Sequence, residues 1–127
     1  MDRTKLRYTT THEWVNLEGT TARVGITDHA QKEISDVVFV ELPQEGKVVK
    51  QKDSAMVIES VKAAFDIYAP LSGKIARANT TLKTKPETIN QAPYDEGWLF
   101  EIEGPDPKEF EALMTEAQYN AVKQEAH

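Results

Sequence analysis

The chain has 127 residues, 28% of them charged and 39% hydrophobic, which suits one folded hydrophobic core and excludes a disordered chain. A net charge of −6 disfavours non-specific nucleic-acid binding and favours partners with basic surfaces. There is no cysteine, hence no disulfide framework, thiolate metal site or cysteine nucleophile, and no apolar run reaches membrane-spanning length.

Taken in order, Lys5-Leu6-Arg7-Tyr8 alternates polar and apolar and predicts a first strand. Thr9-Thr10-Thr11-His12-Glu13-Trp14-Val15 predicts a second, Leu17-Glu18-Gly19-Thr20 a turn, and Thr21–Ile26 the returning strand. Asp28 with Gln31 three residues on predicts a capping box and a short helix ending near Ile34-Ser35. Val37–Leu42, Lys47–Val49 and Ala55–Ile58 read as strands, with Pro43, Glu45-Gly46 and Gln51–Ser54 between them. Phe65–Ala69, Lys74–Ala78 and Trp98–Ile102 follow as strands, and the polar stretch from Asn79 to Tyr94 reads as a long loop. At the C-terminus, Asp106-Pro107-Lys108-Glu109 predicts a capped helix with Phe110, Leu113 and Met114 on one face. Thr115-Glu116-Ala117-Gln118 predicts another, with Tyr119 and Val122 inward. The class is β-rich α+β.

A P-x-x-G-K-[VI] pattern occurs twice, starting at Pro43 and at Pro70. In each copy the proline stops a strand, the glycine permits positive φ, and a β-branched residue restarts the ladder. Two similar hairpin units in a pseudo-twofold β sandwich follow, with Lys62 on the segment joining them. Lys62 lies in Glu59-Ser60-Val61-Lys62-Ala63, between two apolar strands, and is expected at a hairpin tip. A charged residue at such a tip is ordinary surface. A Schiff-base or general-base lysine needs a dry pocket, and a tip is wet, so covalent attachment suits the place better.

Other chemistry is thin. His12-Glu13-Trp14 superficially resembles the start of a zinc-binding HExxH, but position 16 is asparagine and helix signals are absent, so no metal site is expected. There is no serine-histidine-acid set and no phosphate-binding glycine loop, and no catalytic residue is assigned. Glu13 and Asp66 lie near aromatic residues, which fits either a lined cleft or solvated strand carboxylates. Tyr94–Trp98 reads as a structural turn.

Tyr8 with Thr11–Val15, Gly25–Gln31, Val37–Pro43, Glu59–Ala63, and Ile89-Asn90 with Pro93-Tyr94 and Gly97-Trp98-Leu99 resemble successive blocks of one family. This is the H-protein family of the glycine cleavage system, and the resemblance runs from about Tyr8 to Tyr119. Biotinyl domains usually flank their lysine with methionines, where Val61 and Ala63 stand here. Lipoyl domains of 2-oxo acid dehydrogenases usually show aspartate before the lysine and are joined by linkers to a catalytic domain.

The resemblance implies a lipoyl/biotinyl-type barrel-sandwich hybrid of two antiparallel sheets. A short helix would follow the N-terminal strands, and two short helices would close the C-terminus, all within one carrier domain, 1–127. It implies lipoate in amide linkage to Lys62 and no catalysis by the chain itself. The aminomethyl group of glycine would be received from glycine decarboxylase (P protein) and passed to aminomethyltransferase (T protein). Dihydrolipoamide dehydrogenase (L protein) would reoxidise the arm, and a lipoate-attaching enzyme would install it. Glu13 and Asp66 are implied as carboxylates of a cleft that shelters the loaded arm. The alternative is a relay protein donating lipoyl groups to other enzymes; an unmodified interaction module is disfavoured by the intact Lys62 motif. A cytoplasmic monomer is expected, without membrane or nucleic acid, or a mitochondrial-matrix protein if the chain is processed from a eukaryotic precursor. Four departures stand out: Ser35 and Lys52 replace residues that are often glycine, a histidine common near Glu33 is absent, and Phe65 is bulkier than usual before Asp66.

Overall fold

The N-terminal half is built from hairpins whose alternation is plain in the chain. In the computed structural model, which describes residues 2–125, Ala22, Val24 and Ile26 of β3 (Thr21–Ile26) are buried while Thr21 and Arg23 between them are not. β3 pairs antiparallel with β2 (Glu13–Glu18), which pairs with β1 (Arg7–Tyr8). The remaining strands are β4 (Val37–Glu41), β5 (Val48–Val49), β6 (Ser54–Ser60), β7 (Ala64–Tyr68), β8 (Gly73–Ala78) and β9 (Phe100–Glu103). They form two antiparallel sheets, one of six strands in the order β1-β2-β3-β9-β8-β5 and one of three in the order β4-β6-β7. This is the predicted arrangement of two antiparallel sheets, open rather than closed into a barrel.

The central core lies between the sheets and gathers Val24, Ile26, Met56, Ile58, Ile75 and Phe100. β2 is buried on both faces, since Val15 joins this core and Trp14 joins a second cluster with Leu6, Tyr8, Trp98 and Tyr119. Gly25 lets the Trp14 ring lie against the sheet: a Cβ there would fall 2.4 Å from it.

The helices are short. α1 spans Asp28–Ile34, α2 Thr88–Gln91, α3 Pro107–Ala112 and α4 Glu116–Glu125. Several expectations are corrected. α1 is capped by Thr27, whose hydroxyl accepts from Ala30 N–H, rather than by Asp28; Gln31 instead donates to the Asp28 carboxylate. Residues 9–12 form a turn rather than strand, with His12 at φ 71, and a single 3-10 turn precedes β1. The stretch from Asn79 to Tyr94 is not loop throughout: it holds a 3-10 turn at Thr80–Lys83 and α2, whose Leu82 and Ile89 are fully buried. Two isolated apolar residues among polar ones give no period to read. α3 carries the predicted Asp106 cap but stops at Ala112, so Met114 lies beyond it and pairs with Tyr8 as a bridge. Tyr119 is inward as expected, whereas Val122 is 37% exposed. Among the described residues no helix is long and apolar enough to cross a membrane.

The two turn copies pair with each other. Gly46 N–H donates to Ile75 O at 2.7 Å and Ile75 N–H to Lys47 O at 2.8 Å, while Val48 opposes Lys74. Gly46 has the expected positive φ of 89°. Gly73 serves a different need, because a Cβ there would lie 2.4 Å from Ile102 Cγ2.

Candidate functional site

From β5 to β8 the chain folds back on itself around one point. Val48 opposes Lys74, Val57 opposes Asp66, Glu59 opposes Ala64, and Ser60 N–H donates to Ala63 O at 2.9 Å. The outer pairs belong to the six-stranded sheet and the inner pairs to the three-stranded sheet. One long hairpin therefore passes through both layers, and Val61-Lys62 is its apex.

Ser60 builds that apex. Its hydroxyl oxygen accepts from Lys62 N–H at 3.1 Å and from Ala63 N–H at 3.3 Å, satisfying donors that a tight turn would otherwise leave to water. Val61 N–H donates to Asp36 O at 3.0 Å, joining the tip to the segment leaving α1. The Lys62 side chain is exposed, and its ammonium donates to Glu33 O at 3.3 Å, one of the orphan carbonyls at the end of α1. A long, exposed amine held by one weak contact fits an amide-linked prosthetic group. Attachment would cost little native structure.

Behind the tip, Asn90 of α2 makes three contacts. Its Oδ1 accepts from Val37 N–H at 2.9 Å, and its Nδ2 donates to Ser35 O at 2.9 Å and to Gln31 Oε1 at 3.1 Å. Ser35 itself sits at φ 67°, ψ −162°, and Lys52 at φ 77°. Both replacements of a common glycine thus keep the left-handed backbone that glycine favours. Asn90, Ser60 and Ser35 shape the tip, yet none was assigned a role from sequence. The 89–90 motif was the available signal for Asn90.

Glu13 is 1% exposed and lines a cleft with Tyr8, Thr9, Thr11, Lys52, Tyr68 and Met114 among others. The hydroxyls of Thr9 and Thr11 donate to its carboxylate. Burial pushes its pKa up, and these donors offset only part of that push. Asp66 is placed differently. It is exposed on β7, accepts from Ser54 Oγ at 2.8 Å, and is not among the described residues lining the cleft. Tyr68 lies between the two carboxylates: it lines the cleft with Glu13, and it lies two residues from Asp66 on the same strand face, about 7 Å along.

A line of contacts leads from the tether toward Glu13. Lys62 meets Glu33, Glu33 Oε1 lies 2.8 Å from His29 Nε2, and the His29 and His12 rings lie 4.6 Å apart, with His12 next to Glu13 in the chain. Two histidines therefore lie around Glu33, although the histidine commonly found near this position is absent. Phe65 is half-buried against the central core. Tyr94, read as structural, accepts from Asp28 N–H at 3.1 Å and stacks under the Arg3 guanidinium at 4.0 Å, holding the start of α1.

Comparisons with known proteins agree with this arrangement. A family model described as "Glycine cleavage H-protein" matches residues 6–126. The chain is 57% identical over 114 residues to a glycine cleavage system H protein of Endomicrobium trichonymphae, covering 90% of this chain and 92% of the relative. It is 54% identical over 113 residues to one of Thermotoga maritima, covering 89% and 91%. A crystal structure of a glycine cleavage system H protein from Mycobacterium marinum superposes with a TM-score of 0.85 at 33% identity, covering 95% of this chain and 98% of that one.

Proposed function

The chain belongs to the glycine cleavage H-protein family, and from that premise we propose that it carries lipoate in amide linkage on Lys62. It is a carrier component of the glycine cleavage system, not an enzyme. The observation that carries the choice of Lys62 is the register of the long hairpin, which makes this residue the apex of both sheets. When bound, the group supplies a disulfide that accepts the aminomethyl unit of glycine together with electrons. The whole chain, 1–127, serves as one carrier domain in the cytoplasm. Its partners are glycine decarboxylase, aminomethyltransferase, dihydrolipoamide dehydrogenase and a lipoate-attaching enzyme.

The chain's own residues place and shelter. Ser60 holds the tip backbone so that Lys62 projects from it. Glu13 waits in a cleft without a cationic partner in any ion pair among the described residues. A protonated amine entering that cleft would offset the cost of burying the carboxylate, and held so it would lack the free lone pair that drives cleavage of its bond to sulfur. Asp66, at the rim beside Tyr68, adds a second negative charge for the same cargo.

Docking is assigned to the outer face of the three-stranded sheet. Phe39 opposes Glu59, Glu41 opposes Val57, and Val57 opposes Asp66, so apolar and acidic side chains interleave beside Lys62. Phe39 is 54% exposed and Val61 68%. Such a face fits partner surfaces that combine basic and apolar groups.

Intact-mass analysis of protein from its natural source should show one lipoyl increment, absent in Lys62→Arg. Reconstitution of the lipoylated chain with glycine decarboxylase should then give glycine–bicarbonate carbon exchange. Lipoylated protein that supports no exchange would overturn the carrier reading and leave the lipoyl relay, and a biotinyl increment would replace it. Glu13→Gln and Asp66→Asn should each shorten the lifetime of the loaded form; unchanged lifetimes would remove both from the cleft role.

A further inference from the structure

His29 and Glu33 lie one helical turn apart on α1, and His12 reaches them from the turn before β2. One donor atom from each of the three lies within 4.8 Å of the others. We propose that His12, His29 and Glu33 form a binding site for a divalent transition-metal ion of the zinc class. Two imidazole nitrogens and one carboxylate oxygen would bind it, leaving a further coordination position to water. The site is not an HExxH: its ligands come from two separate elements, which is why the order of residues conceals it.

The donor set is the first argument, since imidazole and carboxylate together suit zinc with an open position. Spacing is the second. His29 Nε2 and Glu33 Oε1 are 2.8 Å apart, close to the roughly 3.3 Å edge of a tetrahedral zinc site with bonds of about 2.0 Å. The remaining separations are at most 4.8 Å, and Glu33, with its side chain 59% exposed, is free to swing.

The third argument is how His12 is held. It has a left-handed backbone at φ 71°, uncommon for a residue with a Cβ. Two hydrogen bonds hold that turn: His12 N–H to Thr9 O at 3.2 Å and Thr27 N–H to His12 O at 3.0 Å. Its Nδ1 lies 2.8 Å from the Tyr119 hydroxyl, which is also 2.8 Å from Thr27 Oγ1. An Nδ1–H donating to the Tyr119 hydroxyl leaves the other ring nitrogen with a free lone pair, the outer-shell arrangement usual for a ligating histidine. An ordinary i,i+4 histidine–glutamate pair accounts for α1 alone. It does not account for the left-handed turn that brings His12 onto it.

A bound ion would tie the end of α1 to the turn before β2. Because Glu33 O receives the Lys62 ammonium, occupancy would stiffen the platform on which Lys62 rests. The site does not depend on modification of Lys62.

The test is zinc chloride titrated into chelator-stripped full-length protein, followed by calorimetry and thermal unfolding, with cobalt(II) absorption as a second probe. The expected result is saturable binding of one ion per chain below about 100 μM, with an unfolding midpoint that rises with zinc concentration. His12→Asn, His29→Asn and Glu33→Gln should each weaken binding at least tenfold. Asparagine tolerates the left-handed backbone, so the first variant keeps its turn. His127→Asn should bind as wild type. Absence of saturable binding, binding unchanged in the three variants, or binding lost in His127→Asn overturns the proposal.

Discussion

Ser35 occupies a backbone region that is essentially reserved for glycine, at φ 67° and ψ −162°. Its carbonyl is held by Asn90, and the next residue's carbonyl receives Val61 N–H from the hairpin tip. The strain is therefore stored directly behind Lys62. Ser35→Gly is expected to raise stability by about 1 kcal/mol, a midpoint rise of about 3–5 °C in thermal unfolding. An unchanged or lowered midpoint would show that the serine conformation carries no strain. Lys52→Gly, at φ 77° in an exposed turn, should act in the same direction.

At Glu13 burial sets the pH response. Its pKa is raised above the ordinary 4.5 because desolvation outweighs the donors from Thr11 and Thr9. Below the unfolded value the carboxyl is protonated in both states and costs nothing. As pH rises through that value and past the folded one, ionisation favours the unfolded chain and the native state loses stability. Glu13→Gln keeps an acceptor for both threonines and cannot ionise. Its stability advantage over wild type should thus grow as pH rises through and above 4.5, measured by denaturant unfolding. An advantage independent of pH would mean that Glu13 is solvated as well in the fold as outside it.

Among the elements, α2 shows what a short buried segment contributes. It is four residues long and carries only one fully buried side chain, Ile89, yet its Asn90 satisfies Val37 N–H, Ser35 O and Gln31. Asn90→Ala leaves two backbone groups unpaired beside buried Val37. A loss of about 2 kcal/mol is expected in unfolding experiments, with local loosening around the hairpin tip by hydrogen exchange. Gly25→Ala tests the other close approach, where a methyl would strike Trp14 at 2.4 Å. Trp14 is fully buried and donates from its indole N–H to Pro93 O at 3.0 Å, so it cannot move away cheaply. A cost of about 1–3 kcal/mol is expected. These elements were unequally legible. β3 shows strict alternation in sequence, but α2 and the 3-10 turn before it bury one residue each and leave no period.

For the molecule as a whole, the acidic charge and the outer face of the three-stranded sheet point to one consequence. Association with partners should slow as ionic strength rises, because Glu41, Glu59 and Asp66 steer a basic surface toward Lys62. Phe39→Ser should weaken that association with little effect on stability, since the side chain is 54% exposed. Stopped-flow rates against salt concentration would check the first point and a binding titration the second. A salt-independent rate would remove the steering role.

Sequence by itself gave most of the strands, the Asp106 cap of α3, and the lysine motif on which the proposed tether rests. Each of those rests on local patterns: alternation, turn residues, and a motif contiguous around Lys62. Tertiary structure alone decided the rest. Pairing across both layers made Lys62 the apex of one long hairpin. Folding buried Glu13 while leaving Asp66 on the open face, a distinction no local pattern encodes because both sit in strands beside aromatic residues. It also brought His12 onto α1 through a left-handed turn. Convergence of residues distant in the chain is set by packing, and packing is settled only when all the pieces are in place.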